Sequence, residues 1–356
     1  MNKTILAAAV LAVCAGTASA QSSVTIYGIV DAAVVRESGG AAGNSSKLTS
    51  GAGSYSRLGF RGTENLGGGV SAIFNLESGF RIDTGELDTA GTLFSRQAYV
   101  GLRSPMGTLT IGRQMTPWHN ALLQVGDPFA TGFAGTSKNL FPDWGTNDRA
   151  SNTLMYTAPS SMGITGELMY SAGEQPGSVS AGRQTGASVG YAMGPLNLRL
   201  AYNNKNSTLG ATPELRGVGI NKLLAANYDF GVVKAYVAYG VDKGNTSAPL
   251  GNNSNPFGGL APTASTDGNE VLLGLTAPIG TGTLMASVMR KNDKTVFNQD
   301  ARAWGVGYLY PLSKRTNLYT AYGSISNKNG AGYTVANNTE AGTGDRAFNL
   351  GVRHAF

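Results

Sequence analysis

Apolar and polar side chains alternate along most of the chain with a period of two residues. In 70–82, for example, Val70 and Phe74 fall on one face, and Ser71 and Asn75 fall on the other. A period of two is typical of a β-strand whose two faces meet different environments. The pattern predicts about sixteen strands, at 24–37, 55–63, 70–82, 91–103, 107–115, 150–158, 163–172, 186–194, 196–204, 217–229, 232–242, 269–277, 282–292, 300–310, 315–325 and 346–356.

The connections between these strands alternate in length. Short turns are predicted at 104–107, 159–162, 194–195, 229–231, 278–280 and 311–313, and long polar loops near 38–50, 83–90, 116–149, 173–185, 205–216, 243–268, 293–299 and 326–345. Short turns on one rim and long loops on the other are expected for a transmembrane barrel. We therefore predict an all-β fold, a 16-stranded antiparallel transmembrane β-barrel, formed by one domain over 21–356.

The end of the chain carries the same alternation. Phe348, Leu350 and Val352 share one strand face, and the chain stops at the aromatic Phe356. Termini usually fray into water, so an apolar strand at this position favours a lipid-facing surface, with a docked strand of a soluble sheet as the alternative. We interpret the four residues as an outer-membrane assembly signal, read by the barrel assembly machinery.

The first twenty residues have the pattern of a secretory signal peptide. Lys3 precedes an apolar run at 5–15, and a small-residue cleavage pattern ends at Ala20. We expect 1–20 to be removed after export, with the outer membrane as the destination. Cys14 is the only cysteine and lies in this segment, so the mature chain is predicted to contain no disulfide.

Composition agrees with a barrel but does not by itself identify one. The chain has 51 glycines, 41% hydrophobic residues and a mean hydropathy of −0.09. Membrane barrels have such ordinary averages because lumen-facing polar residues alternate with lipid-facing apolar ones. The formal net charge is +6, but the arginines do not cluster in one surface segment, and we expect no nucleic-acid partner.

Several motifs occur in an order that identifies a family. The segments 23–34, 56–69, 72–80, 93–102 and 107–114, with the closing GVRHAF, resemble the general diffusion porins of Gram-negative outer membranes, of the beta-proteobacterial type. The resemblance implies a water-filled channel for passive diffusion of small hydrophilic solutes and ions. It also implies a homotrimer embedded in outer-membrane lipid, with the third loop folded back into the lumen.

Strand alternation places two charged residues in the predicted lumen. On 55–63, Arg57 lies on the face opposite Leu58 and Phe60. Glu77 lies on the polar face of its own strand by the same reasoning. A guanidinium stays charged at any relevant pH, so arginines along a channel wall attract anions. We predict that Arg57 and Glu77 line the pore constriction, although some of these charges could serve only as salt-bridge partners.

Three further arginines are assigned by the resemblance. Arg96 and Arg113 match by motif the lumen arginines of general porins, and Arg149 matches a third basic wall position. Arg113 shares parity with the apolar Leu109 and Ile111, so its lumen position requires a bulge or a protein-covered outer face. We include all three in the predicted constriction.

The loop at about 116–149 is the candidate constriction loop. A connection of this length is usually functional or disordered. It carries hydrophobic residues that a solvated loop would not need, namely Trp118, Leu122, Leu123, Val125, Phe129, Phe133, Phe141 and Trp144. Asp127 resembles the acidic tip of the family's constriction loops, and we expect it to face the arginines. The alternative is a lid on the surface.

Other chemistries find no support in the sequence. His119 and His354 lack companions at metal-ligand spacing, and no nucleophile elbow or phosphate-binding loop is present. We expect no catalytic site, no metal and no cofactor; a barrel-embedded hydrolase would need a Ser and His on adjacent lipid-facing strands. The predicted function is a diffusion channel with mild anion preference. The alternatives are a channel selective for phosphate or organic anions, and a plugged adhesive or structural barrel.

Overall fold

The computed structural model of the chain describes residues 23–143, 147–211, 217–247, 255–259 and 261–356. The predicted signal peptide at 1–20 and the loop residue Trp144 lie outside the described residues. None of the helices in the described ranges is long and apolar enough to cross a membrane.

The described chain is built mainly of antiparallel strands, and their alternating sequences explain why. The strands are β1 Ser23–Ser38, β2 Ser45–Ser50, β3 Arg57–Gly67, β4 Val70–Gly79, β5 Gln97–Ser104, β6 Gly107–Met115, β7 Arg149–Thr157, β8 Ile164–Ser171, β9 Gln184–Met193, β10 Leu196–Asn206, β11 Val218–Asp229, β12 Lys234–Lys243, β13 Asp267–Ile279, β14 Gly282–Asp293, β15 Ala301–Pro311, β16 Thr316–Asn327 and β17 Arg346–Ala355.

Consecutive strands pair with each other, except β2 with β3, and the last strand pairs with the first. β1 pairs with β17 from Ile29 opposite Ala355 onward, which closes the sheet. On its other edge, β1 pairs with β2 at one end and with β3 at the other. β2 and β3 are therefore two parts of one interrupted barrel strand. The predicted closed, 16-stranded antiparallel barrel is confirmed.

Several strand boundaries differ from the prediction by a few residues, and the largest differences are at β2 and β5. The predicted loop at 38–50 contains β2, because Ser45–Ser50 continues the pairing with β1 before the chain leaves the sheet. The predicted strand 91–103 begins only at Gln97, and the residues before it belong to the preceding loop. In both places the pairing of neighbouring strands, rather than local alternation, decides the boundary.

The two faces of the barrel wall differ as the sequence pattern predicts. On β14, Ser287 and Met289 are buried, whereas Val288 between them is 55% exposed. The same alternation on the other strands gives an outer face of exposed Val, Leu, Ile, Tyr and Trp side chains. The inner face carries small, polar and charged side chains, as expected when lipid surrounds the barrel and water fills it.

The last strand contributes to the outer face and to closure. Phe348, Leu350 and Val352 are exposed on the outer face. The backbone N–H of Phe356 donates to the oxygen of Gly28 at 3.1 Å, and the Gly28 N–H donates to the oxygen of Phe356 at 3.2 Å. Gly28 is needed there because a Cβ would lie 2.3 Å from the Phe356 ring.

The connection between β6 and β7, residues 116–148 and here called loop 3, has its own structure. It contains helix α1 Pro117–Ala121, a π-helical turn Leu122–Gly126 and a 3-10 turn Ser137–Asn139. The hydroxyl of Thr116 caps α1 by accepting from the His119 N–H at 3.1 Å. Its predicted hydrophobic residues Trp118, Leu122, Val125, Phe129, Phe133 and Phe141 are buried.

Candidate functional site

Glu77 lies between two arginines on the inner face. Arg57 begins β3 and Glu77 lies on β4, and the register places Glu77 opposite Gly59. The Arg96 Nε donates to Glu77 Oε1 at 2.7 Å, and Arg57 Nε lies 3.7 Å from Glu77 Oε2. Arg96 is almost completely buried, whereas a quarter of the Arg57 side chain is exposed. The three predicted residues therefore form one charged group with a single acid.

Tyr55 brings the positive charges together. It lies just before β3, and its ring is 4.5 Å from the guanidinium carbon of Arg96, 5.6 Å from that of Arg149 and 5.4 Å from the Lys138 Nζ. A cation within about 6 Å of an aromatic face is attracted by the ring quadrupole. The aromatic ring thus offsets part of the repulsion among three like charges.

Arg113 reaches this region through an irregularity between β6 and β7. The register runs from Gly112 opposite Thr153 to Gln114 opposite Ala150, so β7 has one residue more than β6 between these pairs. Asn152 in this bulge has a φ of 55°. The bulge that the parity of Arg113 required is present, and the guanidinium donates to the backbone oxygen of Ser95 at 2.6 Å.

Arg149 stands at the end of loop 3 and is paired with its neighbour. Its Nη1 donates to Asp148 Oδ2 at 2.6 Å. Arg149 also lines the same cavity as Arg113, together with Tyr55 and Lys205. The structure therefore brings all four predicted arginines to one side of the inner face, with Arg149 between the Arg96 and Arg113 positions.

Asp127 does not face the arginines as the sequence suggested. Its carboxylate is buried inside loop 3 and accepts backbone N–H bonds from Phe129 at 2.8 Å, Thr131 at 3.0 Å and Ser137 at 2.8 Å. Burial raises the pKa of the carboxyl, and these hydrogen bonds oppose the rise. Asp127 thus holds the turn of the loop, and the acids beside the arginines are Glu77 and Asp148.

Loop 3 forms hydrogen bonds with residues of β11 and β14. Ser287 of β14 donates its hydroxyl to the Gly135 oxygen at 2.9 Å, and Asn227 of β11 donates to the Val125 oxygen at 3.0 Å. The close approach requires glycine on β15, because a Cβ at Gly305 would lie 2.3 Å from the Gly135 Cα. The absence of a side chain at Gly305 therefore leaves room for this contact.

The last long loop, residues 328–345 and here called loop 8, is also buried over part of its length. Tyr333 and Val335 have almost no exposed surface. The Lys138 Nζ donates to the Asn338 oxygen at 2.9 Å, and the Ala336 N–H donates to the side-chain oxygen of Asn139 at 2.8 Å. The sequence predicts only a long polar loop here, and no pattern in it indicates that loops 3 and 8 form hydrogen bonds with each other.

Loop 3 adds a cation to the arginine group. Lys138 is buried, and burial lowers its pKa to about 8 from an ordinary value of 10.5. Asp143 and Asp148 raise this pKa, while Arg149 and Arg96 lower it further. Sequence reasoning missed Lys138 because its position depends entirely on how the loop folds.

His119, the histidine of loop 3, has a structural partner. Its Nδ1 lies 2.6 Å from Asp143 Oδ1, and both side chains are buried. Burial raises the pKa of Asp143, but His119, Lys138 and Arg149 together lower it by more, so the net shift is downward. The described residues contain no group of three or more His, Cys, Asp or Glu side chains that could hold a metal ion.

Three cavities, here called the upper, middle and lower cavity, follow one another along the part of the inner face that carries the arginines. The upper cavity, about 490 Å³, is lined by four cations and two acids, namely Arg81, Arg113, Arg149, Lys205, Asp88 and Asp148. The middle cavity, about 300 Å³, is lined by Arg57, Arg96, Arg149, Lys138, Glu77 and Asp148. The lower cavity, about 400 Å³, is lined by Tyr27, Arg61, Tyr99 and Arg103. Tyr55 is shared by the first two, and Gln97 by the last two.

Comparison with known proteins gives a consistent set of similarities. A family model described as Gram-negative porin matches residues 7–330. An outer membrane porin protein of Bordetella pertussis is 33% identical over an alignment of 401 positions including gaps, and outer membrane porin protein 32 of Delftia acidovorans is 34% identical over 373 such positions; both alignments cover 100% of each chain.

Solved structures share the barrel. An anion-selective porin from Comamonas acidovorans superposes with a TM-score of 0.76 at 28% identity, covering 94% of this chain and 100% of the other. OmpF of Salmonella typhi, in complex with daunomycin, has a TM-score of 0.68 at 17% identity, with 94% and 97% coverage, and supports the fold alone.

Proposed function

Because this chain belongs to the Gram-negative porin family and is a passive diffusion channel of the outer membrane, we propose that its constriction is the middle cavity and that it prefers anions. The observation that carries the proposal is the lining of this cavity, where four cations face two acids around Tyr55. A net positive wall lowers the barrier for anions and raises it for cations.

The position of loop 3 supports a constriction inside the barrel. The loop contacts inner-face residues on strands far apart around the barrel, including Asn227 of β11 and Ser287 of β14. Its Phe133 N–H also donates to the Ala52 oxygen, between β2 and β3, at 2.8 Å. One loop can reach the inner faces of all these strands only by crossing the lumen. We infer that loop 3 folds inward and that solutes pass between it and the arginine wall.

Charge on the loop supports anion preference as well. Loop 3 presents Lys138 to the middle cavity, while the carboxylate of Asp127 is occupied by the loop backbone. Both sides of the proposed passage therefore carry positive charge. The relative from Comamonas acidovorans is described as an anion-selective porin, which agrees with this interpretation.

The test is single-channel recording of the purified mature protein in a planar bilayer with a salt gradient. We expect open-channel steps and a reversal potential of anion sign. A cation-signed potential would contradict the proposed role of the arginines. Absence of conductance from a correctly folded barrel would favour a plugged adhesive or structural barrel.

A second candidate is selectivity for phosphate or organic anions. The succession of three basic cavities favours it, because a multivalent anion could pass from one group of cations to the next. Permeability ratios for phosphate and small carboxylates against chloride test this candidate. Ratios that follow only the size of the anion would leave the nonspecific channel as the better description.

We also propose a homotrimer and a C-terminal assembly signal, both on the basis of family resemblance and of the exposed Phe348, Leu350 and Val352. Conductance steps in threes and a trimeric mass in unheated detergent gels would support the trimer. Deletion of Phe356 should reduce the folded protein in the outer membrane through impaired recognition by the assembly machinery. Unchanged insertion would contradict the signal.

A further inference from the structure

Two arginines lie directly opposite each other on the outer face of the barrel. Arg290 of β14 pairs in register with Arg302 of β15. Both are exposed, while their strand neighbours Met289, Lys291 and Ala303 are buried, so the two side chains point away from the lumen. Arg290 lies near the end of β14 and Arg302 near the start of β15, at the rim that carries the long loops.

The charge of this arginine pair is only partly neutralised by protein groups. Like charges directly opposite on neighbouring strands destabilise a sheet. The Arg290 Nη2 lies 4.0 Å from Asp300 Oδ2, but the other oxygen of Asp300 accepts from the Asp293 N–H at 3.0 Å. No acid in the described parts of the chain forms an ion pair with Arg302. The pair therefore keeps a net positive charge and free donors.

The surface beside the pair is apolar and aromatic. The next outward positions on the two strands are Val288, 55% exposed, and Trp304, 47% exposed, which lie opposite each other. The Trp304 ring is 5.5 Å from the ring of Tyr322 on β16. Trp and Tyr concentrate where the hydrocarbon of a membrane meets its headgroups. The arginine pair, one position nearer the long-loop rim, therefore lies at headgroup level in the external leaflet.

We propose that Arg290 and Arg302 bind a phosphate of the phosphorylated glycolipid that forms the external leaflet of Gram-negative outer membranes. A guanidinium can donate two parallel hydrogen bonds to a phosphate. Directly opposite residues on neighbouring strands have Cβ atoms about 5 Å apart, so the two arginine side chains can hold one phosphate from both sides. The acyl chains of the same lipid would pack on Val288, Trp304 and Val306. A bound phosphate also removes the repulsion between the two arginines.

The experiment measures lipid binding by the folded protein in detergent with native mass spectrometry. The probes are bisphosphoryl lipid A, the same lipid without its phosphates, and phosphatidylglycerol. We expect the unmodified protein to prefer bisphosphoryl lipid A over both other lipids. The double variant Arg290→Gln and Arg302→Gln should lose about tenfold or more in affinity, and the Lys variants at both positions should fall between.

The matched control removes two positive charges from the opposite rim. Lys314 and Arg315 are exposed in the short turn between β15 and β16, and replacing both with Gln gives the same change in net charge. This control should bind lipid A as the unmodified protein does. Equal loss in the control, unchanged binding in the Arg290 and Arg302 double variant, or equal binding of phosphatidylglycerol would each overturn the proposal. Channel conductance, which these outer-face residues should not affect, verifies that every variant is folded.

Discussion

Replacing Arg57 with Gln should reduce the anion preference of the channel by a calculable amount. Arg57 lines the middle cavity, and its guanidinium is the more exposed of the two that contact Glu77. Gln is shorter than Arg but keeps the first two methylene groups of the stem and a polar, uncharged end, so the change removes one positive charge with limited loss of packing. Because Arg96 keeps its 2.7 Å contact with Glu77, we expect the remaining wall to hold its position.

The size of the effect follows from the size of the cavity. The middle cavity has a volume of about 300 Å³, so an ion inside it passes close to its wall. At about 6 Å, a unit charge contributes about 0.7 kcal/mol in a water-like dielectric. Screening in roughly 0.1 M salt reduces this energy to about 0.4 kcal/mol. The energy has opposite signs for anions and cations, so their barriers separate by about 0.8 kcal/mol, or about fourfold in permeability ratio.

The assay is the reversal potential of the purified variant under a salt gradient. Arg57→Gln should move it toward the cation side, and Glu77→Gln, which removes the neighbouring acid, should move it toward the anion side. Lys314→Gln, in an exposed turn far along the chain from this cavity, serves as the neutral control. A potential for Arg57→Gln that equals that of the unmodified channel, or moves toward anions, would refute the assignment of Arg57 to the constriction.

Three further predictions concern loop 3. The pKa of Lys138 is lowered to about 8 by burial, so its positive charge is present below that pH and lost above it; anion preference should fall between pH 7 and 9.5, and Lys138→Met should abolish that part of the pH dependence of the reversal potential. Asp127→Asn should lower the free energy of unfolding by about 1–3 kcal/mol, because the backbone N–H groups that donate to Asp127 lose a carboxylate oxygen as acceptor. A denaturant midpoint equal to that of the unmodified protein would contradict this role. Gly305→Val should displace loop 3, since a Cβ at this position would lie 2.3 Å from the Gly135 Cα. A single-channel conductance identical to that of the unmodified protein would argue against this contact.

Strand alternation in the sequence is sufficient to predict most of the strands of this protein and the faces of several side chains. The number and order of the strands and the two-sided loop pattern follow from a period of two that is local in sequence. The same period placed Arg57 and Glu77 on the inner face, where the structure has them. It also indicated that Arg113 could face inward only through a bulge, and β7 contains one beside it. Such features depend on a few neighbouring residues, so the sequence is sufficient for them.

Only the tertiary structure decided which groups of loop 3 lie beside the arginines. Asp127 looked like the acid opposite the arginines, but it is turned to its own backbone, and Lys138 faces the arginines instead. Lys138 is held by Asn338, 200 residues away in the sequence. No periodic pattern encodes the direction of a side chain in an irregular loop. That direction is set by contacts of loop 3 with Gly305 and with the buried part of loop 8, which join residues far apart in the sequence and form only in the folded protein.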